Sequence, residues 1–174
     1  MELSILKDTP FHHPDCCLSL STILIAELVP LLPCEPEFTL SIGSGSGLLE
    51  ALIMQHSPTR TVIGVEVNPT VNKYMPEESM HVVMGTWDLC RAATVAYTWL
   101  FVYPREPKLV AQYLQLYSDA MVQLIVWLGP RADWEDYESL FRSSAFNNVD
   151  IFKDCGLAPY EMMALITKGT SKVV

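Results

Sequence analysis

Apolar residues recur along this chain in two registers. Short runs rich in β-branched and aromatic residues alternate with stretches whose apolar positions return at three- and four-residue steps. The runs Phe38–Ile42, Thr61–Val67, Met80–Met84, Thr98–Tyr103 and Met121–Trp127 predict five strands. Thr61–Val67 is unbroken, as expected of a strand covered on both faces. Val149–Cys155 and Met162–Thr167 predict two more strands, and the short link Gly156–Tyr160 predicts that they pair as an antiparallel hairpin. Leu20, Ile23, Leu24, Leu28 and Leu31 share a helical face, so a helix capped by Asp15 is expected to run to Leu31. Helices are also expected over Ser46–His56, after Pro107, and after Asp133, where Trp134, Tyr137, Leu140 and Phe141 form the inner face. Asn68-Pro69 opens a short helix or turn, and Trp87–Ala93 holds a helical turn. Gly129-Pro130 is expected to break the fifth strand, and residues 1–14, with Pro10 and Pro14, read as an irregular lead-in. Strands alternating with helices predict an α/β fold with a mostly parallel sheet between two helical layers.

Composition narrows the function. The 174 residues suit one domain, and 1–174 shows no repeat, low-complexity tract or linker. Half the chain is hydrophobic and 18% is charged, ample for a core. The net charge is −9 and the eleven Lys and Arg are scattered, which argues against nucleic-acid binding. The five cysteines are odd in number, contain no C-x-x-C, and include the adjacent pair Cys16-Cys17, a poor spacing for metal ligands. They read as reduced, mostly buried thiols of a cytoplasmic protein, and no metal site is expected. The N-terminus has no basic segment followed by an apolar core, and Leu18–Leu32 is interrupted by Glu27 and Pro30, so neither a signal peptide nor a membrane span is expected.

The chemistry concentrates in Phe38–Ile53. An apolar run leads into Gly43, Gly45 and Gly47, and a helical pattern follows. A strand, a glycine turn and a helix N-terminus let backbone N–H groups approach a ligand without an intervening Cβ. The dinucleotide fingerprint spaces its last two glycines three apart. Here they are two apart, a departure from that fingerprint.

With this element order and these landmarks, the chain from Asp15 to Lys168 resembles the class I S-adenosylmethionine-dependent methyltransferases. The resemblance implies a three-layer, Rossmann-like, seven-stranded sheet with the last strand inserted antiparallel beside the sixth. It implies S-adenosyl-L-methionine as cofactor. The family's first motif is an acid, any residue, then G-x-G-x-G. Gly43, Gly45 and Gly47 match it, whereas Ser41 stands at the acidic position, with Glu50 on the helix just beyond. The second landmark, an acid at the end of strand two, is matched by Glu66, whose carboxylate can accept from both ribose hydroxyls. The third follows strand three, where Thr86, Trp87 and Asp88 stand near the expected adenine, with Trp87 equally readable as core. The loop after strand four, Val102–Pro107, lacks the N-P-P-Y signature of nucleobase and glutamine N-methyltransferases, so that substrate class is not carried over.

Candidate catalytic residues are Tyr103, beside the expected methyl, and His12 and His13, whose segment in this family often lies over the mouth of the site. The other reading of the histidines is an exposed loop. Arg105 and Glu106 either orient an acceptor or cap the next helix, and Trp99, Trp127 and Trp134 read as core. The expected activity is methyl transfer to a small-molecule acceptor. No insertion is long enough to form a lid, so a second copy or a partner protein could cover the open site. The alternative is a non-catalytic protein of the same fold that binds ligand or partner, and an NAD-linked oxidoreductase is a third reading.

Overall fold

The β-branched runs find two-sided cover only between helices, and this requirement arranges the chain. The computed structural model describes residues 6–169. A two-residue ladder opens it, β1 (Phe11–His12) pairing antiparallel with β2 (Ser19–Leu20). Then follow α1 (Thr22–Leu28), β3 (Phe38–Ile42), α2 (Leu48–His56), β4 (Thr61–Glu66), β5 (Met80–Val82), β6 (Thr98–Val102) and α3 (Pro107–Leu116). β7 (Leu124–Pro130), α4 (Trp134–Arg142), β8 (Asn148–Phe152) and β9 (Glu161–Thr167) complete it. Seven strands form one sheet in the order β5-β4-β3-β6-β7-β9-β8. β3 to β7 run parallel, and β9 lies antiparallel between β7 and β8. This is the expected seven-stranded sheet with its closing hairpin.

Alternation along the strands divides the core. Trp99 and Phe101 of β6 share one buried cluster with Tyr113 of α3 and with Trp134, Tyr137 and Phe141 of α4. Leu100 between them faces α1 and α2 with Leu24, Leu28, Leu52 and Ile53. Trp99 and Trp127 are fully buried and Trp134 nearly so, which makes all three core residues. Each such side chain contributes on the order of 1.5–3 kcal/mol of burial.

Several boundaries differ from the sequence expectation. The first helix does not start at Asp15. Its cap is Ser21, whose Oγ accepts from Leu24 N at 3.0 Å, while the Asp15 carboxylate is engaged by Lys73 Nζ and by the Tyr74 hydroxyl at 2.8 Å. Leu20 lies in β2 rather than on the helix, and Ile23 is exposed. Within the lead-in, residues 1–5 lie outside the described residues, and Phe11–His12 is ordered by its ladder rather than irregular. β7 begins at Leu124 and continues through Gly129 to Pro130, because its partner β9 supplies the pairing up to Glu161 and a proline at a strand end forfeits a single N–H. Asp133 precedes α4 without a side-chain capping bond. Only Cys90 and Cys155 are buried; Cys16 is half-buried, Cys17 and Cys34 are exposed, and all five are free thiols.

The two ends of the sheet are clothed unequally. The chain from β4 to β5 holds only the 3-10 turns Pro69–Val71 and Glu77–Ser79, and that from β5 to β6 only Arg91–Thr94. Val82 and Met84 beside that edge are 52% and 92% exposed. No helix among the described residues is long and apolar enough to cross a membrane.

Gly156 ties the closing hairpin to the start of α1. Its carbonyl accepts from Ser21 Oγ at 2.6 Å, its φ is +75°, and a Cβ there would lie 2.5 Å from Leu24 N. Gly156→Ala is expected to cost roughly 1–3 kcal/mol and to lower the thermal midpoint. Gly85→Ala, where the nearest atom would be 3.8 Å away, should fall within about 0.5 kcal/mol of wild type. Equal midpoints for the two variants would refute the tie.

Candidate functional site

The glycine loop spans the gap between β3 and α2. Gly43, Gly45 and Gly47 have φ of +79°, +58° and +77°, which a side chain would strain. Gly43 N and Ser44 N both donate to Val65 O, at 2.9 and 3.2 Å, fastening the loop to the end of β4. Its tip is clamped from two sides. Ser46 O accepts from Lys73 N and Tyr74 N, at 2.9 and 3.1 Å, and Ser46 Oγ donates to Asp15 O at 2.6 Å. The Lys73 ammonium, then the Tyr74 hydroxyl, hold the Asp15 carboxyl below its usual range, so the clamp is charged. A Cβ at Gly43 or Gly45 would meet nothing within 4 Å, whereas one at Gly47 would lie 2.6 Å from Met75 Cγ. The loop is thus packed on its Gly47 side and open above Gly43 and Gly45.

Two carboxyls adjoin this cradle. Glu66 ends β4, and its Oε1 accepts from Gly45 N at 2.6 Å while Oε2 accepts from Val67 N at 3.2 Å. Ser41 is 1% exposed, and its Oγ donates to Glu50 Oε1 at 2.6 Å. Glu50, likewise 1% exposed, comes from the first turn of α2. Burial pushes its carboxyl up to about 7, against the lowering effect of the Ser41 hydroxyl and its own backbone N–H, and the Glu66 charge adds to the rise. The position where the sequence shows a serine therefore holds a carboxyl, delivered from the helix.

Thr86 and Trp87 lie in the turn after β5, which Val83 N joins to Glu66 O at 3.0 Å. Both are exposed. Trp87 is 45% exposed with Lys108 Nζ 5.1 Å from its ring centroid, so it is not a core residue.

The acceptor-side candidates are already engaged. Tyr103, at φ +48° just past β6, donates its hydroxyl to Glu161 Oε1 at 2.6 Å. Burial, then this bond, raises the phenol well above its usual range, so Tyr103 stays protonated and serves as a donor. His12 Nε2 pairs with the Tyr160 hydroxyl, and His13 Nδ1 accepts from Asp15 N at 3.1 Å. His12 and Tyr103 thus converge on neighbouring residues of the closing hairpin, while His13 stands apart beside Tyr74. The sequence reading missed Glu161. It is fully buried and accepts from Ser19 N at 3.1 Å, from Ser19 Oγ and from Ala158 N at 3.2 Å, in addition to Tyr103. Its only trace in the sequence is an acid heading the apolar run Met162–Ile166.

The raised Glu50 value has a defined sign. Between its ordinary 4.5 and about 7, the unfolded chain ionises while the folded one stays protonated, so stability falls as pH rises through that window. The loss is on the order of 3 kcal/mol. Glu50→Gln, which cannot ionise, should match wild type most closely near pH 4.5 and be the more stable protein at pH 8. Urea unfolding across that range measures it, and a wild type that gains on the variant with rising pH would refute it.

By sequence, the chain matches no family model and no curated protein. By structure, it is similar to the S-adenosylmethionine-dependent methyltransferase SibL in its apo form (14% identity over 84% of this chain and 53% of that one, TM-score 0.64). It is also similar to the methyltransferase domain of bacterial CtHen1-CN (13%, 83% and 97%, TM-score 0.57). A third is human N-acetylserotonin methyltransferase in complex with SAM (16%, 85% and 51%, TM-score 0.58). The chain spans about half the length of SibL and of N-acetylserotonin methyltransferase, and nearly all of the CtHen1 domain. At these identities the likeness is one of fold, and together with the strand order and the antiparallel β9 it gives this chain the class I S-adenosylmethionine-dependent methyltransferase fold.

Proposed function

We propose that this protein binds S-adenosyl-L-methionine at the glycine loop and transfers its methyl group to a small-molecule acceptor. The observation that carries this reading is the open face above Gly43 and Gly45 with the Glu66 carboxylate at its edge. The residues there fit the cofactor. The loop admits close approach, and Glu66 offers acceptors for adjacent ribose hydroxyls. The half-exposed Trp87 ring offers an apolar face near the adenine.

When bound, the cofactor supplies a methyl already activated by its sulfonium. The chain's task is placement, which can account for roughly 7–11 kcal/mol of a barrier. The clamp on Ser46 holds the loop, and the bond from Tyr103 to Glu161 fixes the end of β6. Because Tyr103 stays protonated, it is not the base in this reading, and acceptors that need no early deprotonation suit the site best.

A non-catalytic binding protein of the same fold is the second reading, favoured by the engagement of both Tyr103 and His12 in internal bonds. Under it, the protein would bind the cofactor yet produce no S-adenosylhomocysteine with amine, phenol or carboxylate acceptors.

Calorimetric titration with S-adenosylmethionine and S-adenosylhomocysteine tests the cofactor. Both should bind, and Glu66→Ala should weaken both by about tenfold or more, roughly 1.4 kcal/mol. A nicotinamide dinucleotide should not compete. Absence of heat with both ligands at millimolar concentration, or competition by the dinucleotide, would overturn the proposal.

A further inference from the structure

The free edge of the sheet is built like one half of a two-fold joint. β5 pairs with β4 alone and ends the sheet. Val83 N donates to Glu66 O at 3.0 Å, so Val83 faces β4. Backbone groups alternate along a strand, and Val82 and Met84 therefore turn theirs outward. Met80 does so with its carbonyl, its N–H being spent on Glu77 O. An open edge is usually blunted by a lysine, a proline or a covering helix. Met80–Met84 contains neither lysine nor proline, and only 3-10 turns flank it. The side chains at 80, 82 and 84 share one face. Val82 and Met84 are largely exposed there, and Trp87 is half-exposed just beyond.

A two-fold rotation about Val82 maps this pattern onto itself. It sets Val82 against the partner's Val82 and Met80 against the partner's Met84, so apolar meets apolar in every cross-strand pair. Charge is arranged the same way. Glu77 and Glu78 precede β5, whereas Lys108 stands past its far end, 5.1 Å from the Trp87 ring centroid. All three are exposed, and neither ion pair found among the described residues includes them. Antiparallel pairing carries the acids of each copy toward the partner's Lys108. We infer that β5 docks antiparallel on β5 of a second copy, joining two seven-stranded sheets into one through roughly four backbone hydrogen bonds. The joint gives the β5 side the cover that helices supply elsewhere, next to Glu66, which lies opposite Val82 in the sheet. It does not depend on what the glycine loop binds.

Sedimentation velocity tests this at ~0.15 M salt, where the net charge of −9 on each copy is screened beyond about 8 Å. Wild type should pass from monomer to dimer as its concentration rises through the micromolar range. Val82→Lys, which puts a charge on the edge, should raise the dissociation constant by about tenfold or more. Its thermal midpoint, taken at a dilution where both proteins are monomers, should stay near that of wild type. Glu77→Lys and Lys108→Glu should each weaken the dimer, and the two together should recover most of the loss, which a local effect of either change would not do. A wild type still monomeric at high micromolar concentration would overturn the inference and leave the edge to a different protein. So would a dimer that Val82→Lys leaves intact, or a double reversal no tighter than either single change. If Val82→Lys does not fold, Met84→Lys, past the strand and almost wholly exposed, decides in its place. Cofactor binding by a protein that stays monomeric would leave the proposed function standing.

Discussion

A carboxyl with no access to solvent must find its hydrogen bonds within the protein, and Glu161 finds four donors from three parts of the chain. Ser19 comes from the lead-in, Tyr103 from the end of β6, and Ala158 from the loop before β9. Removing any one leaves a buried acceptor short at roughly 1–3 kcal/mol. These bonds fix the turn after β6, where the chain leaves the sheet for α3 at a positive φ. They also hold β2 against the closing hairpin, from which the position of α1 follows. The end of the sheet that carries Tyr103 and His12 is therefore a locked surface. Tyr103 and His12 belong to the lock, which is why neither presents a free base.

The opposite half of the sheet is built differently. Short turns replace the helices that cover strands elsewhere, and Val82 and Met84 stay exposed beside β5. Order there comes from polar contacts in addition to the buried Val62, Val65 and Met75. Lys73 and Tyr74 reach across to Asp15 and Ser46, so the segment after β4 and the lead-in grip the glycine loop between them.

Much of this was legible in the sequence because it is local. A β-branched run declares a strand, glycines at alternate positions declare a turn, and an acid ending a strand stays at the strand's end. The seven strands, the hairpin and the place of Glu66 follow from such signals. The features that escaped are contacts between distant residues. Asp15 has the side chain of a cap, and only the fold reveals that Lys73 and Tyr74 claim it and leave Ser21 to start the helix. Glu161 reads as an ordinary acid until Ser19 is folded onto it. Trp87 was ambiguous because its exposure depends on a covering helix that the β5 side lacks.

The Ser41–Glu50 pair joins two elements that are otherwise free to vary independently. An acid within a strand keeps its place whatever loop follows. An acid on a helix keeps its place only while the turn count before it is preserved. One residue inserted between Gly47 and Glu50 would rotate the carboxyl by roughly 100° about the helix axis, away from Ser41. Loop length and helix phase must then be inherited together, because an insertion or deletion in this glycine turn carries the carboxyl away from its serine.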